Sequence, residues 1–219
     1  MNGTEMVARA KARLGGVWGF ECWRPYDPVE AKRVREKFSN LPWYRRLGRW
    51  LIGKKNGVDS PEYKAIPRYL VWADQTHNIC TDEGLNHILG VEFSDDTQLT
   101  DWYCLIFESD TTPAAGTTYA TPVFTESTAY DEATRPAWEE GGVSSKSITN
   151  SANKATFTMS DTKTIYGAAL VAGGTDADTK GDTEGGGTLF CASKLGASRP
   201  VVDDDVLNLT YTLSAADDA

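Results

Sequence analysis

Between Ile148 and Leu170 the chain reads ITNSANKATFTMSDTKTIYGAAL. No other stretch restricts the fold as strongly. Ala155, Phe157 and Met159 alternate with Thr156, Thr158 and Ser160, the period of a strand with one buried face. Ser160, Asp161, Thr162 and Lys163 supply turn residues. A second apolar run, Ile165 to Val171, follows. Two such runs around a polar turn predict an antiparallel hairpin at the centre of a β domain.

Further strands fall on both sides of it. Val17 to Trp23 is rich in aromatics, Ile66 to Trp72 (IPRYLVW) reads as another strand, and Trp102 to Phe107 is almost continuously apolar, as suits a central strand buried on both faces. Thr188 to Ala192 and Val206 to Leu213 complete the set; in the latter, Asn208, Thr210 and Thr212 alternate with Leu207, Leu209, Tyr211 and Leu213. Seven or eight short strands predict a mainly β protein, an antiparallel β-sandwich. Thr81 caps a short embedded helix whose apolar stripe is Leu85, Ile88 and Leu89. Residues 110–130 read as a long surface loop, 173–187 as an exposed, flexible acidic loop, and the final SAADDA as a loose polar tail.

The N-terminal part is different in kind. Residues 4–14 predict a short basic helix capped by Thr4 and ended by Gly15-Gly16. Asp27 and Pro28 start another helix, expected to reach about Phe38. A third begins near Pro42 and puts Trp43, Tyr44, Leu47, Trp50 and Leu51 on one face, flanked by Arg45, Arg46 and Arg49. The expected organisation is a basic arm over 1–15, a β-sandwich from 16–24 and 66–219, and a helical excursion inserted at 25–65.

Charge follows the same division. Residues 1–75 hold 15 Lys/Arg against 8 Asp/Glu, and the remainder 7 against 23, within a net charge of -9 over 219 residues. A basic head on an acidic body suits a head that meets an acidic surface and a body that stays solvated. Phosphates and bases would also suit the basic-aromatic helix, but it carries no nucleic-acid motif, and that reading ranks last.

The chemistry-bearing motifs are few. Cys22, Cys80, Cys104 and Cys191 form no C-x-x-C pair, and with two histidines they suggest no zinc site. Cys104 and Cys191 read as small buried hydrophobes. His77 and His87 read as packing or surface residues. The acidic loop offers one weak calcium candidate, Asp176, Asp178 and Asp182. Lys180 stands where an oxygen ligand is needed, and Gly187 stands where a bidentate Glu is needed. There is no nucleophile elbow and no phosphate-binding or dinucleotide fingerprint. Glu139-Glu140 and Asp203-Asp204-Asp205 read as solvated faces rather than a glycosidase pair. Neither an enzyme nor a cofactor is expected. The N-terminus lacks the apolar core of a signal peptide, and no apolar run is long enough to span a membrane. The thiols read as made and kept in a reducing cytoplasm.

Several segments agree with one pattern: NICTDEGLNHIL (78–89), DWYCLI (101–106), AYDEATRPAW (129–138), ITNSANKATFT (148–158), TIYGAAL (164–170) and the closing LNLTYTLSAADD. Together they resemble a family of small structural proteins of tailed bacteriophages, over residues 66–219, and KARLGGVWGFECW (11–23) resembles the family's start. Relatives turn through a short Asp-Gly hairpin where this chain has residues 25–65. The resemblance implies a non-enzymatic virion component, in many copies set by particle symmetry, bound to capsid, neck or tail subunits and to no membrane. Trp43, Tyr44, Arg45, Arg46, Arg49 and Trp50 are the expected anchoring residues. Two alternatives are a tail-fibre-like protein that binds the host surface through 110–130 and 173–187, and a connector or genome-facing protein that contacts DNA.

Overall fold

Alternation builds the first sheet. Trp18, Phe20 and Cys22 point inward from β1 (Lys11–Pro25), and Leu207, Leu209 and Tyr211 do so from β9 (Val206–Asp218). The two strands are antiparallel, with Trp18 opposite Tyr211, Phe20 opposite Leu209 and Cys22 opposite Leu207, so both apolar sets share one face. The Trp18 and Tyr211 rings stack with centroids 4.6 Å apart. The structure, a computed structural model, describes residues 11–39, 58 and 60–218.

Between β1 and β2 (Arg68–His77) lie α1 (Pro28–Ser39) and α2 (Pro61–Lys64). Then come β3 (Ile79–Cys80), α3 (Asp82–Phe93), β4 (Trp102–Phe107), β5 (Ser147–Thr149), β6 (Ala155–Thr158), β7 (Lys163–Ala172) and β8 (Thr188–Val201). One sheet has the order β2-β1-β9, with β5 and β6 both on the far side of β9. The other has the order β3-β8-β7-β4, and every pairing in both is antiparallel. The sheets face each other across one core: Trp18, Phe20, Phe157, Leu207 and Leu209 meet Ile106, Ile165, Ala168, Leu170 and Phe190. The protein is a mainly β, antiparallel β-sandwich. β4 is buried on both faces, as its unbroken apolar run requires. Cys104 and Ile106 enter this core, while Leu105 and Phe107 join a second cluster beneath the loops.

The stretch at 148–170 is not a hairpin. β6 pairs with β9 in the first sheet, and β7 pairs with β4 and β8 in the second. The turn at Ser160–Thr162 therefore carries the chain across the sandwich as an arch. Met159 fixes the crossing: its N–H donates to the Asp205 carbonyl at 2.8 Å and its own carbonyl accepts from Asp204 N–H at 2.9 Å. The apolar faces of the two runs still meet, but through the core rather than side by side.

Two other expectations change. Lys11–Leu14 belong to β1, whose ladder runs through Gly15-Gly16; residues 4–10 of the expected basic helix lie outside the described residues. The supposed loose tail is the end of β9, and Lys11 to Gly15 pair with Asp218 to Ser214. A ladder partner outweighs local helix propensity here. Gly16 is needed in β1 because a Cβ there would collide with the Tyr211 ring.

Candidate functional site

The excursion is held firmly at its roots. Asp27 caps α1 by accepting from Glu30 N–H at 3.0 Å, and Pro28 occupies the first helical position. Ala31 and Val34 then face Val58, Tyr63 and Ile66 in a small separate core. Ser60 caps α2 by accepting from Tyr63 N–H at 3.1 Å.

This unit docks on the run Asp203-Asp204-Asp205. Arg35 reaches the two Asp203 carboxylate oxygens at 2.8 and 3.1 Å, Asp131 at 3.1 Å and Asp204 at 3.2 Å. The Tyr63 hydroxyl donates to Asp204 at 2.9 Å. From the end of β1, Arg24 grips Asp205 through two bonds of 2.7 and 2.8 Å. Asp204 and Asp205 are buried, so this run is not the solvated face expected from its composition. Asp204 also takes a positive φ of 68°, which Asp tolerates better than most residues.

Burial pushes the Asp131 and Asp204 carboxyls up, against the opposing pull of Arg35. Burial also raises nearby Glu132 to about 7, although both its oxygens accept from Thr158 N–H. The expected anchoring residues Trp43, Tyr44, Arg45, Arg46, Arg49 and Trp50 lie outside the described residues. Their flanks are fixed at one end of the sandwich, where Lys37 on α1 meets Glu62 on α2 at 3.0 Å.

At the other end of the sandwich sits α3. Thr81 caps it as expected, accepting from Gly84 N–H at 3.1 Å. Its buried seam keeps only Ile88 of the expected stripe. Gly84 packs against the backbone of Phe190, so closely that a Cβ would collide, and Ile88 reaches the core. Leu85, Leu89 and Phe93 are 38%, 55% and 77% exposed and form an outward apolar row. Asp82, Glu92, Asp95 and Asp96 are exposed around it. His87 packs edge-on to Trp102, whereas His77 is exposed and takes part only through its backbone carbonyl, which accepts from the Ser193 hydroxyl.

The second assembly lies on the outer face of the β4-β7-β8 sheet. Arg135 is the first cation after Arg68, across 66 residues without Lys or Arg. It is buried, and each of its five N–H donors has a partner. Nε and Nη2 bridge both Glu126 oxygens. Nη2 also reaches the Asp182 carbonyl at 2.9 Å, and Nη1 reaches the Tyr119 hydroxyl at 3.1 Å and the Ala177 carbonyl at 2.9 Å. One side chain thus ties 110–130 to 173–187.

The acidic loop is accordingly folded into turns rather than free. Thr175 N–H meets the Gly185 carbonyl at 3.0 Å, Gly181 N–H meets Glu126 at 2.9 Å, and the Lys180 ammonium meets the Tyr130 carbonyl at 2.6 Å. Asp182 accepts from the Tyr119 hydroxyl at 2.7 Å, and Asp176 from the Thr175 hydroxyl at 2.7 Å. Asp176, Asp178 and Asp182 do not form a calcium cage. Among the described residues, no three His, Cys, Asp or Glu side chains are placed to hold a metal.

Between the two loops is a pocket of about 320 Å³. Leu105, Phe124, Val171 and Leu189 form its buried floor, and Thr118, Asp182 and Thr183 stand at its mouth. Below the pocket, Trp138 packs against Tyr211, and Ala137 bridges to Tyr103 on β4, the edge strand of its sheet. The importance of Arg135 itself was not anticipated; its isolation among acidic and neutral residues was the available signal. The chain matches no model of a known protein family, and a comparison with curated proteins gives no significant match.

Proposed function

We propose that this chain is a non-enzymatic structural component of a tailed-bacteriophage particle. Its basic N-terminal third attaches to capsid, neck or tail subunits, and its acidic β domain faces outward. The observation that carries this reading is the presence of exposed apolar surface at both ends of the sandwich. One patch is the Leu85, Leu89 and Phe93 row on α3; the other is Tyr26 and Val29, 71% and 75% exposed, where β1 passes into α1. Surfaces at opposite ends suit a subunit with neighbours on two sides.

The segments that carry the family resemblance also support it, because their polar residues serve the fold. Thr81 caps α3, Arg135 ties two loops, and Asn150 accepts from Tyr211 N–H at 2.7 Å to hold the chain against β9. Replacing residues 25–65 by a two-residue Asp-Gly turn tests the proposal. The shortened chain folds, as judged by a cooperative thermal transition, and is missing from purified particles. Normal incorporation refutes the assignment. A host-surface-binding role is the second reading, and the pocket between the loops is the observation that favours it.

A further inference from the structure

We propose that the pocket between residues 110–130 and 173–187 binds one neutral saccharide unit carrying a small apolar substituent, an N-acetylhexosamine being the best chemical fit. This inference concerns the isolated chain and holds whether or not the chain belongs to a virion.

The pocket is built in advance. Its walls are loops that would cost ordering entropy if free, yet Arg135 holds both through a buried ion pair and three further bonds. Gly174, at φ 67°, passes so close to the Gly186 carbonyl that no side chain fits between them. Walls fixed before binding remove much of the ordering cost that otherwise weakens small-ligand affinity.

The lining then selects the ligand. Leu105, Phe124, Val171 and Leu189 give the floor an apolar character suited to a methyl or acetyl group. An anion has no cation to meet, since every donor of Arg135 is engaged and Glu126 balances its charge. The mouth offers acceptors and hydroxyls instead. The bond from the Tyr119 hydroxyl holds the Asp182 carboxyl below the usual carboxylate range, so it is present as an acceptor. Thr183 adds a hydroxyl group at the same rim, beside Thr118, whose own hydroxyl is held in a turn by Thr121 N–H at 3.1 Å. A group that is apolar at its tip and rich in O–H and N–H donors behind it fits this order. A saccharide with an acetamido arm has that sequence of chemistry, the methyl toward the floor and the amide and ring hydroxyls toward the rim. About 320 Å³ accommodates one ring and no more.

The test is a ligand-observed NMR titration of the full chain with N-acetylglucosamine and, separately, glucose. N-acetylglucosamine binds saturably with a dissociation constant on the order of 1 mM, as suits so small a ligand. Saturation transfer is strongest at its acetyl methyl, and glucose binds roughly fivefold or more weakly. Thr183→Trp, which fills the mouth, weakens binding roughly tenfold, and Thr118→Val does so by a smaller factor. Thr183 is on the rim, so the thermal midpoint of Thr183→Trp stays near that of the parent, while Thr118→Val also loses the turn bond from Thr121 N–H and its midpoint falls slightly. Absence of saturable binding overturns the proposal, as does equal binding of the two sugars. Binding that survives both substitutions also overturns it, by placing the sugar elsewhere on the surface. None of these outcomes alters particle incorporation of the 25–65 variant, so the two proposals fail separately.

Discussion

Arg135 and Glu126 supply the sharpest test of how the loops are held. Their side chains are 1% and 8% exposed. Arg135→Met keeps much of the aliphatic packing but removes five hydrogen bonds. It leaves the Glu126 carboxylate buried without its cation, and the Ala177 and Asp182 carbonyls without their donors. Breaking a buried pair from one side costs about 3–5 kcal/mol, a large share of the roughly 5–15 kcal/mol that stabilises a typical domain. In a chain of this length, that lowers the thermal midpoint by roughly 10 °C. Glu126→Gln is also costly, because its amide oxygen keeps one Arg135 bond while its N–H groups meet another Arg135 donor or Gly181 N–H, and the guanidinium loses its counter-charge. Combining the two substitutions relieves the stranded carboxylate, so the double variant loses less than the sum, with a coupling of about 2 kcal/mol. Urea unfolding of the four proteins measures it, and limited proteolysis should cut first within 173–187 of Arg135→Met. A coupling below about 0.5 kcal/mol, or an unchanged cleavage pattern, would show that the loops are held by something other than this pair.

Two further outcomes follow from other sites. Burial raises the Glu132 carboxyl to about 7, and Asp131 and Asp204 in the same direction, so between about pH 4.5 and 7 Glu132 holds more proton in the folded chain than in the unfolded one. Stability therefore falls as pH rises through that window, by up to about 3 kcal/mol from Glu132, and Glu132→Gln flattens the dependence. Thermal midpoints at pH 5.5 and 7.5 measure this, and a parent no more stable at the lower pH contradicts it. Gly84→Ala forces α3 away from the Phe190 backbone and costs about 1–3 kcal/mol, although Ala is the better helix former. A chemical-denaturation curve that shows a gain instead would mean the helix can shift freely.

The elements were legible where local chemistry decides them. Asp27-Pro28 and Thr81 marked helix starts because a cap acts within three residues of itself. The alternation in β9 marked its buried face because side-chain direction is a property of the strand alone. Periodicity does not name a strand's neighbour, which is why 148–170 looked like a hairpin and is an arch. The buried carboxylates failed for a related reason. Asp205 meets Arg24 across 181 positions of sequence, so nothing near it distinguishes it from a solvated acid. Arg135 likewise gains its partners from two loops on either side of it. The outward row on α3 was misjudged because the helix seats itself through Gly84, a residue that adds nothing to an apolar stripe.

The β1–β9 ladder has a mechanical consequence. Among the described residues it runs through 13 successive pairs, from Lys11 opposite Asp218 to Trp23 opposite Val206. Lys11 and Asp218 lie opposite each other at the end of the described ladder that is away from the docked excursion. A force that pulls those two residues apart opens the ladder one pair at a time, like a zip, and meets little resistance. A force applied between that end and the excursion runs along the strands and strains many hydrogen bonds at once. The same sheet is thus easy to pry and hard to stretch, and a tether on this fold holds best when it pulls along the strands.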